Sequence, residues 1–534
     1  MATTVLVEFE TFVEDLIPRA AEKPQCSSQQ SEDAQHKVSK LFNNGCDKDS
    51  KPEKPKEIDI AKTIVRCHSP RVLVVINRNT QVGIINELEL LKGYKVVLAC
   101  HPKKARAVAA LYPGDKVPSN SKPDWTHSRL FIEFKEGESK YDPWDDSDEM
   151  SPESECETAV DVRAQFTTYA HNTFLHQHRT ALYSLFILGR EFRAVRWDRA
   201  GVIVSKKVDY VKHTDSLLEI LWRIAQLDDA QQGLDPTATL ISVQGSSVPK
   251  LRPSERRNLV QAEGRTRSPS SRSVKYGNDR SCRVRHLRRR PPAASVRGGA
   301  EAYRVFLVGK PIFVSSSLFG RATRGYVAVD AKTRRFVFLK DSWRPFYEGV
   351  DPEGTYLKKL SKDKALLVPA YLCDGDVDAP SAANLAPLET EDSLRHHIHY
   401  RIVMKDVCLP FDRFRSSKEL VRLIYHCVST HYWAYTTYNL LHRDISSGNV
   451  LILPRYTTVD GKEKVRWFGI LTDWELAKTV CKKGTEDKAR QPERTGTWQF
   501  MSVASVASQW TLPVAVADEL ESFFHVMLFY GVRY

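Results

Sequence analysis

Two carboxylates and one amide in the C-terminal half have the types and spacing that phosphoryl transfer requires. In the apolar segment Leu440–Leu453, Asp444 follows His442-Arg443, and Asn449 stands five residues later. A carboxylate there can accept or orient the proton of a hydroxyl, and an amide oxygen on the same loop can hold Mg²⁺. Asp473 follows an apolar strand-like run, where a carboxylate could bind the metal that bridges the β- and γ-phosphates. These residues predict a magnesium-dependent phosphotransfer site.

A glycine-rich stretch and a strand lie upstream, where they could bind the phosphates of a nucleotide. The spacing G-x-G-x-x-G-x-V, with alanine in place of the middle glycine, is met by Gly320, Ala322, Gly325 and Val327. Lys340 ends the strand-like run 335–340 and is predicted to reach the α- and β-phosphates. Glu353 begins a short amphipathic helical pattern, with Leu357 and Leu360 on the same face, from which it could pair with Lys340.

In this order, the motifs resemble those of the fungal protein kinases, a family often called FunK1. Five segments carry the resemblance: GRATRG (320–325), LKDSWR (339–344), HRDISSGN (442–449), RTGTWQFMS (494–502) and ADELESFF (517–524). The resemblance covers residues 303–534 and extends more loosely to about residue 120. It implies an α+β chain in which an α/β N-terminal domain precedes a two-lobed, protein-kinase-like C-terminal domain, with a small β-rich lobe and a helical lobe.

The resemblance also implies an activity and roles for individual residues. The activity would be ATP- and Mg²⁺-dependent phosphorylation of Ser or Thr hydroxyls on a protein substrate. The catalytic set would be Asp444, as the base, with Asn449 and Lys340, while Asn449 and Asp473 would bind Mg²⁺. The nucleotide would be held by Gly320, Ala322, Gly325, Val327, Lys340, Glu353 and Met404, the last on the strand and hinge 400–405. Asp518 would anchor the catalytic loop.

Several departures from the family pattern favour a second hypothesis, a pseudokinase-type interaction module that is weak or inactive in transfer. Ser446 stands where many Ser/Thr kinases have a lysine, and Trp474-Glu475 replaces Phe-Gly, which removes a flexible glycine. No Ala-Pro-Glu follows the segment GTWQFMS. The chain ends at Tyr534, 16 residues after Asp518, which predicts a shortened helical lobe.

A weaker set of residues in the N-terminal half resembles the PD-(D/E)xK nucleases. Pro123-Asp124 precedes Glu133-Phe134-Lys135, and a QxxxY pattern from Gln165 to Tyr169 follows on a helix-like stretch. In such nucleases two carboxylates hold a divalent metal and the lysine steadies the attacking water. Three readings stay open at this point: ordinary charges at a strand end, an inactive nuclease-like domain, and a metal-dependent nuclease.

Composition and apolar patterns predict four regions. Residues 1–57 form an N-terminal segment with a mobile linker, 58–240 the α/β domain, 241–302 a basic disordered insert, and 303–534 the kinase-like domain. Strands are predicted at 72–76, 95–99, 130–134 and 201–205, and helices at 159–180 and 216–227. The run 182–188 predicts a core strand, with the arginine-rich stretch 193–199 as its charged edge.

The positive charge is concentrated in one segment. Residues 250–299 hold 15 Lys and Arg against 3 Asp and Glu, which accounts for nearly all of the net charge of +13. Such a segment predicts either a solvated linker or a contact with nucleic acid or another polyanion. The ten scattered cysteines form no CxxC pair, and neither a signal peptide nor a membrane-spanning run is evident. We therefore expect an intracellular protein, in the cytoplasm or nucleus, with no membrane partner.

Overall fold

The computed structural model describes most of the chain and divides it into two compact units. The described residues are 4–17, 91, 93–100, 107–119, 122–135, 137–148, 151–210, 212–240, 282–286, 304–347, 350–364, 366–377, 394–459, 462–480, 496–507 and 513–534. The first unit comprises Met1–Pro236, Ser315–Ala322 and Asp378–Ile398, and the second comprises Thr237–Val314, Thr323–Val377 and His399–Tyr534.

The first unit is built on one mixed sheet. Its strands are β1 (Thr4–Val7), β2 (Tyr94–Cys100), β3 (Ala107–Pro113), β4 (Leu130–Lys135), β5 (Leu182–Leu188), β6 (Glu191–Trp197), β7 (Val202–Ser205) and β8 (Val208–Asp209). Its helices are α1 (Phe9–Thr11, continued by a π-helical turn at Phe12–Leu16), α2 (Glu157–His176) and α3 (Thr214–Gln226). The strand order is β1-β7-β6-β5-β4-β3-β2, with β8 beside β6. Two neighbouring pairs, β1–β7 and β4–β5, are parallel.

Alternation along the strands gives this sheet two apolar faces. Leu130, Ile132 and Phe134 of β4 join a core cluster with the apolar side of α3, whereas Phe131 joins a cluster with Phe166 of α2. Successive strand residues point to opposite faces, so Glu133 and Lys135 share the side of Phe131 and α2. The first unit therefore has helices packed on both faces of its sheet.

The second unit combines a larger sheet with short ladders and helices. Its strands are β9 (Ala238–Leu240), β10 (Cys282–His286), β11 (Arg304–Val308), β12 (Phe313–Val314), β13 (Arg324–Asp330), β14 (Phe336–Pro345), β15 (Tyr371–Asp376), β16 (His397–Met404), β17 (Leu409–Pro410), β18 (Leu440–Leu441), β19 (Val450–Val459), β20 (Lys462–Leu471) and β21 (Lys478–Thr479). Its helices are α4 (Glu353–Leu360), α5 (Ser417–Tyr438), α6 (Val503–Ala507) and α7 (Val516–Arg533). The large sheet runs β15-β16-β14-β13-β11-β10-β9, with β12 on β13.

Two features of the second unit position its polar residues. Phe338 of β14 packs against the core cluster that includes Leu357 of α4, so Lys340, two residues further along β14, faces the same helix. The hairpin β19–β20 pairs Val450 with Leu471. The loop before β19 and the loop after β20 therefore meet at one end of the hairpin.

Most predicted elements that fall on described residues are confirmed. The strands predicted at 95–99, 130–134 and 201–205 and the helices at 159–180 and 216–227 correspond to β2, β4, β7, α2 and α3. The mixture of helices and sheets is also as predicted. The strand predicted at 72–76 lies outside the described residues, as does the basic segment apart from β10. Among the described helices, none is long and apolar enough to cross a membrane.

The prediction of a charged edge at residues 193–199 is wrong. Strand β6 lies between β5 and β7, and the side chains of Arg193 and Arg196 are almost fully buried. Arg193 is compensated by Asp142, at 2.8 Å from Nη2, and Arg196 by Asp198, at 3.0 Å from Nη1. Charged side chains can occupy an inner strand when each has a buried partner of opposite charge.

Candidate active site

The loop 442–449 is held in place by the end of the β19–β20 hairpin. Asn449 Nδ2 donates to the Asp444 backbone carbonyl at 2.8 Å and to Asp444 Oδ2 at 2.9 Å. The Thr472 amide donates to the Asn449 carbonyl at 2.9 Å, and Asp473 follows directly in the chain. Three residues that lie up to 29 positions apart in the sequence, Asp444, Asn449 and Asp473, are thus brought to one place.

Lys340 and Glu353 lie beside Asp473. Lys340 Nζ is 2.9 Å from Glu353 Oε2 and 2.8 Å from Asp473 Oδ1. It is also 3.0 Å from Glu475 Oε2, a contact that the sequence analysis did not predict. Lys340 and Glu353 are buried, whereas about a third of the Asp473 side chain is exposed. The lysine predicted to bind phosphates is therefore surrounded by three carboxylates.

Burial and neighbouring charges shift the pKa values of Lys340 and Glu353 in opposite directions. Burial disfavours the charged form of Lys340, but the carboxylates of Asp473, Glu353 and Glu475 outweigh burial and hold its pKa well above the usual value. Burial raises the pKa of Glu353 to about 7, opposed by Lys340 and reinforced by Asp473 and Glu475. A single ammonium group does not neutralise three carboxylates, so the cluster carries excess negative charge.

The oxygen donors at this site are of the kind that suits Mg²⁺. Glu353, Asp473 and Glu475 form the one group of three or more ligand-type side chains within 4.8 Å that occurs among the described residues. The Asn449 backbone carbonyl accepts the amide of Thr472, the residue before Asp473, so Asn449 and the Asp473 turn are neighbours. Magnesium prefers carboxylate and amide oxygens and keeps several waters, so Asp473 and Asn449 fit a metal bound together with phosphates.

The Asp473 turn is fixed by buried neighbours. Asp473 has φ +61° and ψ +65°, in the left-handed region that asparagine and aspartate tolerate better than most residues. Trp474 is fully buried, donates from Nε1 to the Leu471 carbonyl at 3.1 Å, and packs edge-on against His442 at 4.6 Å between ring centroids. The substitution of Trp474-Glu475 for Phe-Gly therefore adds a buried anchor on one residue and a carboxylate on the next.

His442 is a buried neutral ring that links the loop before β19 to the loop after β20. Its Nε2 donates to the Thr472 carbonyl at 2.8 Å, and its Nδ1 accepts from the Asp444 amide at 3.3 Å. Burial lowers the pKa of His442, against the opposing charges of Glu519 and Asp444. This pattern of one donor and one acceptor is that of a neutral imidazole.

Glu519 anchors the loop 442–449 from α7. Its carboxylate accepts the backbone amides of His442, at 3.2 Å, and of Arg443, and it also bonds His431 of α5. Burial raises the pKa of Glu519, but the hydrogen bond and charge of His431, together with the hydrogen bond from the Arg443 amide, outweigh burial, and the pKa lies below its usual range. The prediction that Asp518 has this role is wrong. Asp518 instead accepts the Ala515 amide at 2.8 Å and the Ser502 hydroxyl.

The Asp444 carboxylate faces a cleft and has a second partner that sequence analysis missed. Thr497 donates to Asp444 Oδ1 from its amide, at 2.8 Å, and from its hydroxyl, at 2.9 Å. Gly496, Ser502 and Ser505 are among the other residues that line the cleft. Thr497 belongs to the segment GTWQFMS, whose presence was noted but to which no contact was assigned.

The predicted nucleotide-binding residues are distributed more widely. Gly325 lies in β13 directly opposite Lys340 of β14, and Val327 lies two residues further along the same strand. Gly320 and Ala322 belong to the first unit, where the Gly320 amide donates to the Arg199 carbonyl at 2.8 Å. Met404 ends β16 and is buried in the core cluster that contains α4. The phosphate-covering and adenine-binding roles of these residues stay predictions.

The nuclease-like residues of the first unit form a polar cluster. Glu133 Oε1 bonds Lys135 Nζ at 2.7 Å, and Gln165 Nε2 donates both to this Glu133 oxygen and to the Tyr169 hydroxyl at 2.7 Å. Asp124 bonds His127 Nδ1 at 2.9 Å. Glu133, Lys135, Gln165 and Tyr169 therefore come together as the sequence pattern suggests, and they are joined by hydrogen bonds and an ion pair.

The family of the chain follows from its similarity to known sequences. No curated protein matches the chain. The sequence model of the fungal protein kinases matches residues 136–385 and 379–530, which together span about three quarters of the 534 residues. The match confirms the resemblance inferred from the motifs, and it extends into the first unit. The chain that brings Asp444, Asn449 and Asp473 together with Lys340 belongs to the fungal protein kinase family.

Proposed function

We propose that the chain is an ATP-dependent protein kinase that transfers the γ-phosphate to Ser or Thr hydroxyls of protein substrates. The supporting observation is the convergence of Asp444, Asn449, Asp473 and Lys340 within the second unit, at hydrogen-bonding distances. Family membership supports kinase chemistry in general. The acceptor type is an inference from the resemblance.

Each residue has a role that its surroundings support. Thr497 and Asn449 hold the two Asp444 oxygens, so the carboxylate is aligned to receive and orient an acceptor hydroxyl at the cleft. Asn449 and Asp473 would hold Mg²⁺, which when bound with the nucleotide neutralises charge on the phosphates. Lys340, kept cationic by its neighbours, would contact the α- and β-phosphates, and Glu353 would hold Lys340 in position. Catalysis then depends on positioning and electrostatics.

The alternative, nucleotide binding without transfer, is favoured by Ser446. The Ser446 side chain is buried, and its backbone carbonyl accepts the amides of Asn449 and Val450 at 3.1 and 3.2 Å. No lysine is present at this position to contact the γ-phosphate. The two functions differ in one measurable property, the transfer of label from the nucleotide to protein.

The test is a comparison of binding and transfer in Asp444→Asn. Affinity for Mg·ATP would be measured by calorimetry, and transfer by the incorporation of label from [γ-³²P]ATP into the chain itself and into casein. We expect the wild-type chain to bind and transfer, and Asp444→Asn to bind with little change but to lose transfer by about a hundredfold or more. Asp412→Asn, the same change at an exposed position of the same unit, serves as the control.

Two outcomes would contradict the proposal. Transfer that persists in Asp444→Asn would show that this carboxylate is not the catalytic one. Binding of Mg·ATP without any transfer by the wild-type chain would instead support the pseudokinase function.

A further inference from the structure

Lys340 already uses all of its hydrogen-bond donors. An ammonium group has three N–H bonds, and Nζ has three carboxylate partners, Asp473 at 2.8 Å, Glu353 at 2.9 Å and Glu475 at 3.0 Å. In this arrangement no N–H of Lys340 remains for a phosphate oxygen. Lys340 can donate a hydrogen bond to a phosphate of the nucleotide only if at least one of the three carboxylates breaks its bond to Nζ.

The three carboxylates differ in how readily they can give way. Glu353 is the first residue of α4, is 2 % exposed and contacts Lys340 of β14, so its burial keeps it with Lys340. Asp473 is the residue expected to bind the metal in the proposed function. Glu475 occupies the position at which the kinase pattern has a glycine without a side chain, so its bond to Lys340 is an addition to that pattern.

The charge of the cluster disfavours a nucleotide that arrives without a metal. Three carboxyl groups around one ammonium leave an excess of negative charge, and the Glu475 and Lys340 side chains are only 10 % and 8 % exposed, so water screens their interactions poorly. A metal-free triphosphate would meet this negative charge and a lysine already engaged. A divalent cation that arrives with the nucleotide offsets the negative charge of the triphosphate and that of the cluster.

We propose that Glu475 is a positioning residue that holds Lys340 until a metal-bound nucleotide enters, so that the site selects Mg·ATP over metal-free ATP. The proposal rests on the proposed function, since it assumes that Lys340 contacts phosphates. It assigns to Glu475 a role in selecting the form of the substrate, and the measurable quantity is the ratio of two dissociation constants.

The test compares ATP binding in EDTA with ATP binding in excess Mg²⁺ for the wild-type chain and three variants. In Glu475→Gln the competing charge is lost and the shape is kept, so metal-free ATP should bind about tenfold more tightly. The dissociation constant of Mg·ATP should change by no more than about twofold or should increase. The dissociation constant of metal-free ATP divided by that of Mg·ATP should therefore fall by about tenfold or more. Glu463→Gln, the same change at an exposed residue of the second unit, should leave the ratio unchanged.

A purely structural role for Glu475 predicts a different result, because loosening the site would weaken both forms of the nucleotide together. An unchanged ratio in Glu475→Gln would therefore overturn the proposal. Glu475→Ala removes the charge without burying an amide and should give the same fall in the ratio, and the thermal unfolding midpoint of each variant checks that it is folded. Wild-type chain that fails to bind Mg·ATP would overturn the proposed function as well, whereas binding and transfer with an unchanged ratio would overturn only the role of Glu475.

Discussion

A single added methyl group at Gly354 should disturb the position of Glu353. Gly354 lies in the first turn of α4, and its amide donates to the Tyr400 hydroxyl at 2.8 Å. The same hydroxyl donates to Asp374 Oδ2 at 2.8 Å, which ties the helix to β15 and β16. A Cβ on Gly354 would lie 2.2 Å from Asp374 and 2.7 Å from the Tyr400 oxygen. The substitution Gly354→Ala therefore displaces either the Asp374 carboxylate, which would lose its bonds to the Tyr371 and Tyr400 hydroxyls, or the start of α4.

The size of the effect follows from these distances. Restoring ordinary contact of about 3.4 Å requires a shift of about 1.2 Å, which would lengthen the Lys340–Glu353 contact from 2.9 Å towards about 4 Å if it fell wholly on α4. Overpacking of this kind costs about 1–3 kcal/mol, against which the higher helix propensity of alanine recovers at most about 1 kcal/mol. We expect a lower thermal unfolding midpoint and about tenfold weaker Mg·ATP binding.

The chain offers a matched control for this change. Gly531 lies in α7, and a Cβ there would meet no atom within 4 Å. Gly531→Ala should leave nucleotide binding unchanged and raise the free energy of unfolding slightly, because alanine favours the helix. The reasoning is refuted if Gly354→Ala binds Mg·ATP as tightly as Gly531→Ala and unfolds at the same or a higher temperature.

Two further predictions concern the catalytic loop and the response to acid. Glu519→Gln should lower phosphotransfer at least tenfold and increase hydrogen exchange at the His442 and Arg443 amides, since a neutral amide is a weaker acceptor for them; unchanged exchange would contradict the anchoring role. Burial lowers the pKa of His397 to about 4, opposed by the Arg395 carbonyl, so the unfolded chain takes up this proton first as the pH falls below about 6.5. The free energy of unfolding that depends on neutral His397 is therefore fully present above pH 6.5, and it falls by about 2–3 kcal/mol as the pH is lowered towards 4. His397→Phe should therefore lose less stability than wild type over that range in acid-unfolding curves, and equal losses would be evidence against the argument.

Motif spacing predicted the central residues because the chemistry constrains them closely. Asp444 and Asn449 share one short loop, and Asp473 follows the strand that pairs with the strand after that loop, so their proximity is decided by one hairpin. Lys340 and Glu353 lie 13 residues apart on a strand and the following helix. Local sequence order therefore carries most of the geometry of this site.

The errors arise where the outcome depends on the start of a helix or on tertiary partners. Asp518 and Glu519 both lie in the first turn of α7, and only the helix start at Val516 decides that Asp518 bonds the Ala515 amide while Glu519 reaches the catalytic loop. In the sequence, Glu475 is evident only as a residue that replaces the glycine of the kinase pattern. Its bond to Lys340 depends on the conformation of the Asp473 turn, which positions the Glu475 side chain. The buried Arg193 depends on Asp142, which lies 51 residues away and could not be paired with it from pattern alone.

The most direct test of the account is a crystal structure of the chain with Mg²⁺ and a non-hydrolysable ATP analogue. The account predicts a metal bound by Asn449 and Asp473, Lys340 in contact with the α- and β-phosphates, and the γ-phosphate facing Asp444. A nucleotide bound elsewhere, or one bound at this site with Lys340 turned away from its phosphates, would contradict it.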